Sequence, residues 1–236
     1  MKEIQEYKHL FFDLDDTLTS SRSRVDDDMH TLLSVLPVDL VVVSGAATEQ
    51  IGTQLPNLPF YRMGQNGNHT TKPDGTLIWE KCLTSGEEDA IYAHISELLT
   101  AADFEVSNEK DLIENRKSQI SYSTIGHHAS KERKHVFDPD SAVRNSLLTK
   151  FPLNSNSVEV RIGGTTCFDY FRIGSNKGNN VREFIALMGW DPLDCVYFGD
   201  KLMPGGNDET VVGIIDTIAV KSHRDTFGML QAAFQK

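Results

Sequence analysis

Short apolar runs that stop at acidic or glycine-containing turns alternate with helical periodicity along the first part of the chain. Leu10-Phe11-Phe12 is such a run and ends at a cluster of aspartates. Val25, Met29, Leu32, Leu33 and Leu36 then recur at helical spacing, with Asp26 to Asp28 near the positive end of the helix dipole. Asp39-Leu40-Val41-Val42-Val43 is apolar, largely β-branched and ended by Ser44-Gly45, which predicts a buried strand; Ile51 and Leu55 predict a short helix after it. Strand, helix, strand, helix predicts an α/β domain with a parallel sheet covered by helices.

The alternation pauses after about residue 80. Pro73-Asp74-Gly75 marks a turn inside a hairpin, and Ser85 with Glu88 reads as a capping box before a helix carrying Ile91, Ile95, Leu98 and Leu99. A strand-like stretch from Leu112 to Ile125 follows, then a helix from Pro139 with Asp138 as its N-cap. Strands at Val158-x-Val160-x-Ile162 and Cys167 to Ile173 complete a module of helices and antiparallel strands. The α/β rhythm then resumes with a helix from Lys177 to Met188 stopped by Gly189 and a strand at Cys195 to Phe198 ending at Gly199-Asp200. A strand from Ile214 to Val220 and a closing helix from Phe227 to Phe234 finish the chain. The expected organisation is a discontinuous core, residues 1–81 and 174–236, interrupted by an α+β cap at 82–173.

At 236 residues with 39% hydrophobic and 24% charged residues, the chain has the composition of a globular protein large enough for a full core. Its net charge of −11 argues against nucleic-acid and anionic-membrane partners, and at first sight against phosphates as well. Cys82, Cys167 and Cys195 are far apart and form no CxxC pair, which suits a reducing compartment. Met1 to Lys8 is charged, so no signal peptide is expected; with no apolar run long enough to span a bilayer, a cytoplasmic location is expected.

The candidate chemistry lies at the ends of the expected strands. Asp13-Leu14-Asp15-Asp16-Thr17 directly follows the first strand, where open α/β sheets bind ligands. Asp13 and Asp15, two apart, can face one site, one as nucleophile and the other moving protons; the plainer alternative is an acidic turn with a helix cap. Asp200 and Asp208 bracket the glycine-rich Gly199-Asp200-Lys201-Leu202-Met203-Pro204-Gly205-Gly206-Asn207-Asp208 and suit Mg²⁺, although a surface loop would read the same way. Ser44-Gly45 could hold phosphate oxygens or be a simple turn. Lys177, a cation at a helix start, could be a site residue or merely solvated.

Taken together, these four motifs, Asp13/Asp15/Thr17, Ser44, Lys177 and Asp200/Asp208, resemble those of the haloacid dehalogenase superfamily and span the whole core. The resemblance implies a Rossmann-like core with a type IIB cap, Asp13 as phosphorylated nucleophile and Asp15 as general acid/base. Mg²⁺ would be held by Asp13, Asp15 through its carbonyl and Asp200, with Asp208 as ligand or ligand-orienting group. Thr17, Ser44, Gly45 and Lys177 would meet the phosphoryl oxygens.

A narrower likeness is to eukaryotic-type phosphomannomutases. It rests on the GDKLMPGGND stretch, on Asp16-Thr17-Leu18-Thr19 running on to Arg22, and on Ile162-Gly163-Gly164 followed by Phe168-Asp169. This likeness implies a phosphorylated hexose substrate gripped by Arg22, Arg116 and Arg133, sugar-hydroxyl contacts from Asp169, a hexose bisphosphate activator and a homodimer through the cap. The chain departs from the pattern where His127-His128 stands in place of the family's arginine and Cys167 in place of a serine; His127, together with the phosphatase-like Asp16 and Ser44-Gly45-Ala46, favours a phosphatase. Arg22, Arg116 and Asp169 favour a mutase that interconverts mannose 6-phosphate and mannose 1-phosphate, the leading reading, with a sugar-phosphate phosphatase as the alternative and a phosphate-accepting signalling module or a non-catalytic sugar-phosphate binder as remote ones. Asp13, Asp15, Asp16, Asp200 and Asp208 place five of the 34 acidic residues around one expected cation, so the negative charge no longer excludes a phosphorylated substrate.

Overall fold

The computed structural model describes residues 2–102, 104–106 and 108–235. In chain order the elements are β1 (His9–Phe12), α1 (Asp27–Ser34), β2 (Asp39–Val43), α2 (Thr48–Gln54), β3 (Phe60–Gly64), β4 (His69–Thr71) and β5 (Leu77–Glu80). Next come α3 (Ser85–Ala101), β6 (Ile113–Asn115), β7 (Ile120–Ser123), α4 (Lys131–Phe137), α5 (Ala142–Lys150), β8 (Val158–Gly163) and β9 (Cys167–Arg172). The chain ends with α6 (Lys177–Met188), β10 (Cys195–Gly199), β11 (Asp216–Ala219) and α7 (His223–Phe234). It divides into two compact units, Met1–Glu80 with Ser175–Lys236, and Lys81–Gly174.

The first unit is built on a seven-stranded sheet in the order β11-β10-β1-β2-β3-β4-β5, parallel from β11 to β3 and antiparallel through the β4–β5 edge. Alternation along the strands sorts the core into two layers. Leu10, Phe12, Leu40, Val42, Val196 and Phe198 pack with Met29, Leu32 and Leu33 of α1, Ile51 of α2 and Leu230 of α7. Phe11, Val41, Val43 and Tyr197 pack on the opposite face with Val181, Phe184 and Ile185 of α6. Helix α6 starts where Asn176 accepts the Asn179 N–H at 3.0 Å and stops at Gly189, whose φ of 68° is the left-handed conformation a helix C-terminus favours.

The second unit has a four-stranded antiparallel sheet in the order β6-β7-β9-β8. One face, with Ile120, Tyr122, Phe168, Tyr170 and Val158, packs on Ile91, Ile95 and Leu98 of α3 and Leu147 of α5. The other face carries the row Glu114, Ser121, Asp169 and Arg161, in register across all four strands.

Several local expectations shift. The stretch 112–125 is a hairpin and not one strand, because Lys117 takes a φ of 67° and Arg116 N–H bonds Gln119 O at 2.8 Å. The capping box is Thr84 with Glu87, one residue earlier than read: Glu87 accepts the Thr84 N–H at 2.7 Å. Helix α5 begins after Ser141, yet Asp138 still accepts the N–H groups of Val143 at 3.0 Å and Arg144 at 3.2 Å, so it caps the first turn from outside. Helix α4 was not anticipated from the pattern, and the last strand and helix are Asp216–Ala219 and His223–Phe234.

Candidate active site

β10, β1 and β2 are adjacent and parallel, so their carboxyl ends open on the same edge of the sheet. Asp13 continues β1, and its N–H bonds Phe198 O at 2.9 Å; Ser44 continues β2, its N–H bonding Met63 O at 3.0 Å; Asp200 follows β10. Phe11 faces α6, and Asp13, two residues on, carries that face to the strand end, where Lys177 opens α6.

Lys177 Nζ lies 2.6 Å from Asp13 Oδ1, 2.7 Å from Asp208 Oδ1 and 3.4 Å from Tyr197 Oη, all of these side chains being buried. A buried ammonium at the positive end of a helix is disfavoured by both burial and the dipole. Burial would lower the Lys177 pKa, but Asp13 and Asp208 outweigh it and hold the group above its ordinary value. Burial pushes Asp13 up to about 7 against the pull of Lys177. Asp200 is also raised, first by burial, with Lys201 opposing and Asp208 adding to the rise.

One carboxylate oxygen from each of Asp13, Asp200 and Asp208 lies within 4.8 Å of the others, the one such acidic cluster among the described residues. Asp200 Oδ1 is buried without a hydrogen-bond partner, as is Thr17 Oγ1. Three close carboxylates, two of them bonded to a buried lysine and the third with an orphaned oxygen, are the donor set a hard divalent cation requires, so these residues fit Mg²⁺. The Asp15 side chain does not join that cluster. Its Oδ1 accepts the Arg22 N–H at 2.6 Å and Gln54 Nε2 at 3.1 Å. Gln54 also reaches Thr19 Oγ1 and Ser23 O, each at 3.1 Å, and so ties the loop after β1 to α2.

Ser44 is buried, with Oγ accepting the Ala46 N–H at 3.1 Å; Gly45 follows it at the end of β2, half-buried. Arg22 is exposed with a φ of 53°, and Asp16 beside the first motif has a φ of 62°. In the second unit, Asp169 accepts Ser121 Oγ at 2.7 Å and Arg116 pairs with Glu114. Arg133 bonds the Glu105 carbonyl and lines a cavity of 460 Å³ with Asn108, Asp111, Ile125, His128, Ala129 and Ser130, a wall that includes neither Arg116 nor Asp169.

His127 and His128 part company. His128 is exposed and paired with Asp111. His127 is buried: Nε2 donates to Ser121 O at 3.2 Å, leaving Nδ1 toward Glu114 at 3.7 Å and Cys167 Sγ at 3.9 Å. Burial holds its pKa below the ordinary value although Glu114 opposes this. Tyr197 and Gln54 did not emerge from the sequence. Tyr197 is placed by the register Phe11↔Tyr197 between β1 and β10, which no motif reveals.

A mostly parallel sheet layered by helices, with the carboxylate–lysine cluster at its carboxyl edge, defines a haloacid dehalogenase-type fold. A haloacid dehalogenase-like hydrolase of Bacillus subtilis superposes with a TM-score of 0.67 at 13% identity, over 95% of this chain and 99% of that one. An IMP-nucleotidase of Plasmodium falciparum superposes with a TM-score of 0.67 at 16% identity, over 99% of this chain and 70% of that one. The family model for eukaryotic phosphomannomutase matches residues 31–236, and the chain belongs to that family. Phosphomannomutase 2 of Dictyostelium discoideum is 30% identical over 244 residues, covering 95% of this chain and 96% of its own. A phosphomannomutase of Glycine max is 30% identical over 240 residues, covering 94% of each chain. Among the described residues, no helix is long and apolar enough to cross a membrane.

Proposed function

We propose that the chain is a Mg²⁺-dependent phosphotransferase that acts on hexose phosphates through an aspartyl-phosphate on Asp13, with interconversion of mannose 6-phosphate and mannose 1-phosphate as its leading activity. The observation that carries this reading is the buried contact of Lys177 with both Asp13 and Asp208 in a chain of the phosphomannomutase family. Lys177 occupies Asp13 Oδ1, which leaves Oδ2 to attack phosphorus. As that P–O bond forms, the bond to the sugar oxygen breaks, its electron pair stays on the leaving oxygen, and Asp15 delivers a proton to it. In the second half-reaction a hydroxyl of the sugar gives its proton to Asp15, attacks the phosphorus and releases Asp13. Mg²⁺, held by Asp13, Asp200 and Asp208 with the Asp15 carbonyl, would neutralise charge on the phosphoryl oxygens. Lys177, Thr17, Ser44 and Gly45 would complete that neutralisation and positioning.

In the same reading Lys81–Gly174 is the α+β cap domain. Arg22, Arg116 and Arg133 meet the non-reacting phosphate, and Asp169 meets sugar hydroxyls. A hexose bisphosphate primes the enzyme, which is cytoplasmic and dimerises through the cap, a state that light scattering tests.

The buried His127 favours a second outcome, hydrolysis. Burial holds its pKa below the ordinary value, so it is a weaker cation than the arginine the family carries at this position and would hold the non-reacting phosphate less firmly. Incubation with Mg²⁺ and mannose 1-phosphate or glucose 1-phosphate, with and without a hexose bisphosphate, separates the two outcomes. Formation of the 6-phosphate isomer without stoichiometric phosphate release identifies a mutase, and release of phosphate alone a phosphatase. Activity retained by Asp13→Asn would overturn both.

A further inference from the structure

Tyr197 has no part in the chemistry described so far, yet its phenol sits within the buried network. Its Oη donates to Asp208 Oδ1 at 2.7 Å and lies 3.4 Å from Lys177 Nζ. A carboxylate only accepts, so the phenol proton is committed to Asp208 and an oxygen lone pair is left for the ammonium. Lys177 has three N–H donors, and this site offers three acceptors: Asp13 Oδ1, Asp208 Oδ1 and Tyr197 Oη. The phenol thus closes a ring of hydrogen bonds with Lys177 and Asp208, and the ammonium has no unassigned proton with which to swing away from Asp13.

The sheet builds this arrangement. Tyr197 lies opposite Phe11 in register, on the face that bears α6, and its ring is buried among the side chains of that layer. Gly199, the next residue on that face, leaves room above the ring, since a Cβ there would lie 2.9 Å from Tyr197 Cε1 and 2.6 Å from Asp208 Oδ2. Asp208 therefore rests over a backbone without a side chain, between the phenol and the lysine.

We infer that Tyr197 is a positioning residue for phosphoryl transfer: its hydroxyl fixes the Lys177 ammonium against Asp13 and holds Asp208 in place. The inference rests on Asp13 being the phosphoryl acceptor, but not on which hexose phosphate is used. Tyr197→Phe keeps the ring and its packing and removes only the oxygen. With p-nitrophenyl phosphate, a phosphomonoester that needs no hexose recognition, kcat is expected to fall about tenfold with KM within about twofold, the signature of an interaction serving the transfer step.

A substrate-free readout accompanies the kinetics. Buried, fully bonded lysine ammonium protons exchange slowly and give a ¹H–¹⁵N signal, which Lys177→Met assigns by its loss. In Tyr197→Phe that signal is expected to broaden or vanish while the thermal midpoint stays close to that of the unsubstituted protein. An unchanged ammonium signal overturns the inference, whatever happens to kcat. So does a lost signal with kcat unchanged, or a kcat loss that only tracks loss of folded protein. If the unsubstituted protein processes p-nitrophenyl phosphate but no hexose phosphate, the proposed substrate falls while the role of Tyr197 is still decided. If it processes neither, both fall.

Discussion

Lys177 Nζ and Asp13 Oδ1 stand 2.6 Å apart in a setting where each side chain is almost fully buried. Neither charge is tolerable there alone. Lys177→Met would leave Asp13 and Asp208 as neighbouring buried carboxylates without their cation, a change that costs about 3–5 kcal/mol when one partner of a buried pair is lost. The expected outcome is a lower thermal midpoint together with a fall in kcat of about 10²–10³, the size typical of a lost electrostatic contact to the reacting group. A variant as stable and as active as the parent would show that this pair neither supports the fold nor serves the site.

The carboxylate cluster predicts a second behaviour. Asp13, Asp200 and Asp208 are gathered only in the folded chain, so Mg²⁺ should bind that state and raise its stability. At a concentration near a hundred times Kd the gain is about 2.7 kcal/mol, readable as an upward shift in the thermal midpoint. Chelation should abolish activity and fresh Mg²⁺ restore it. Asp200→Asn, which alters the residue with the unpartnered Oδ1, should remove both the shift and the activity.

Gly199 ends a central strand flanked by β1 and β11, whose backbone has little freedom to move. In Gly199→Ala the new Cβ would lie 2.6 Å from Asp208 Oδ2, so the carboxylate must yield. Overpacking of this kind costs about 1–3 kcal/mol. The larger effect should fall on the half-saturating Mg²⁺ concentration, which is expected to rise at least tenfold by titration. Unchanged Mg²⁺ dependence would mean that Asp208 can shift without affecting the cation.

The motifs at the strand ends were legible because each lies where an apolar run stops, and run length is a local property. Asp13, Ser44 and Asp200 needed only the position of their own strand. Tyr197 was not legible, since its importance comes from lying opposite Phe11 on a neighbouring strand nearly two hundred residues away in sequence. Gln54, which holds Asp15 from α2, was hidden for the same reason. In the second unit, the 112–125 stretch reads as continuous because Lys117 gives no sign of its positive φ. Arg144 reads as an ordinary helix residue, but it is 1% exposed and bonds Asp138 Oδ2 at 2.7 Å and the carbonyls of Gly163 at 2.9 Å, Gly164 at 3.2 Å and Cys167 at 3.2 Å. Its partners come from both ends of the β8–β9 turn, which periodicity cannot join to α5.

That arginine carries its own prediction. Arg144→Met removes the donor to four carbonyls, the Asp138 carbonyl among them, and takes the cation from Asp138, whose pKa burial would raise but which Arg144 and two backbone N–H groups hold below its ordinary value. The expected loss is about 3–5 kcal/mol, and proteolysis should cut within Lys81–Gly174 before cutting elsewhere. Cleavage distributed evenly over the chain would contradict a local role.

The pair Glu87–Arg172 sets the acid limb of stability in the second unit. Glu87 accepts Arg172 Nε at 2.7 Å and Nη2 at 2.8 Å, and these bonds, aided by Thr84 and opposed by burial, lower its pKa from 4.5 to about 2. Because the folded chain binds this proton more weakly than the unfolded one, the contribution is fully present above pH 4.5 and is lost as pH falls from there toward 2. The Arg172 side chain is 41% exposed, so solvent screening cuts the linkage energy, leaving about 1–2 kcal/mol. Glu87→Gln retains a hydrogen-bonding side chain but cannot titrate. Urea unfolding at pH 5 and again near pH 2.5 should show the parent losing about 1–2 kcal/mol more than the variant across that interval. Parallel losses would mean that Arg172 does not hold Glu87 ionised in the folded chain.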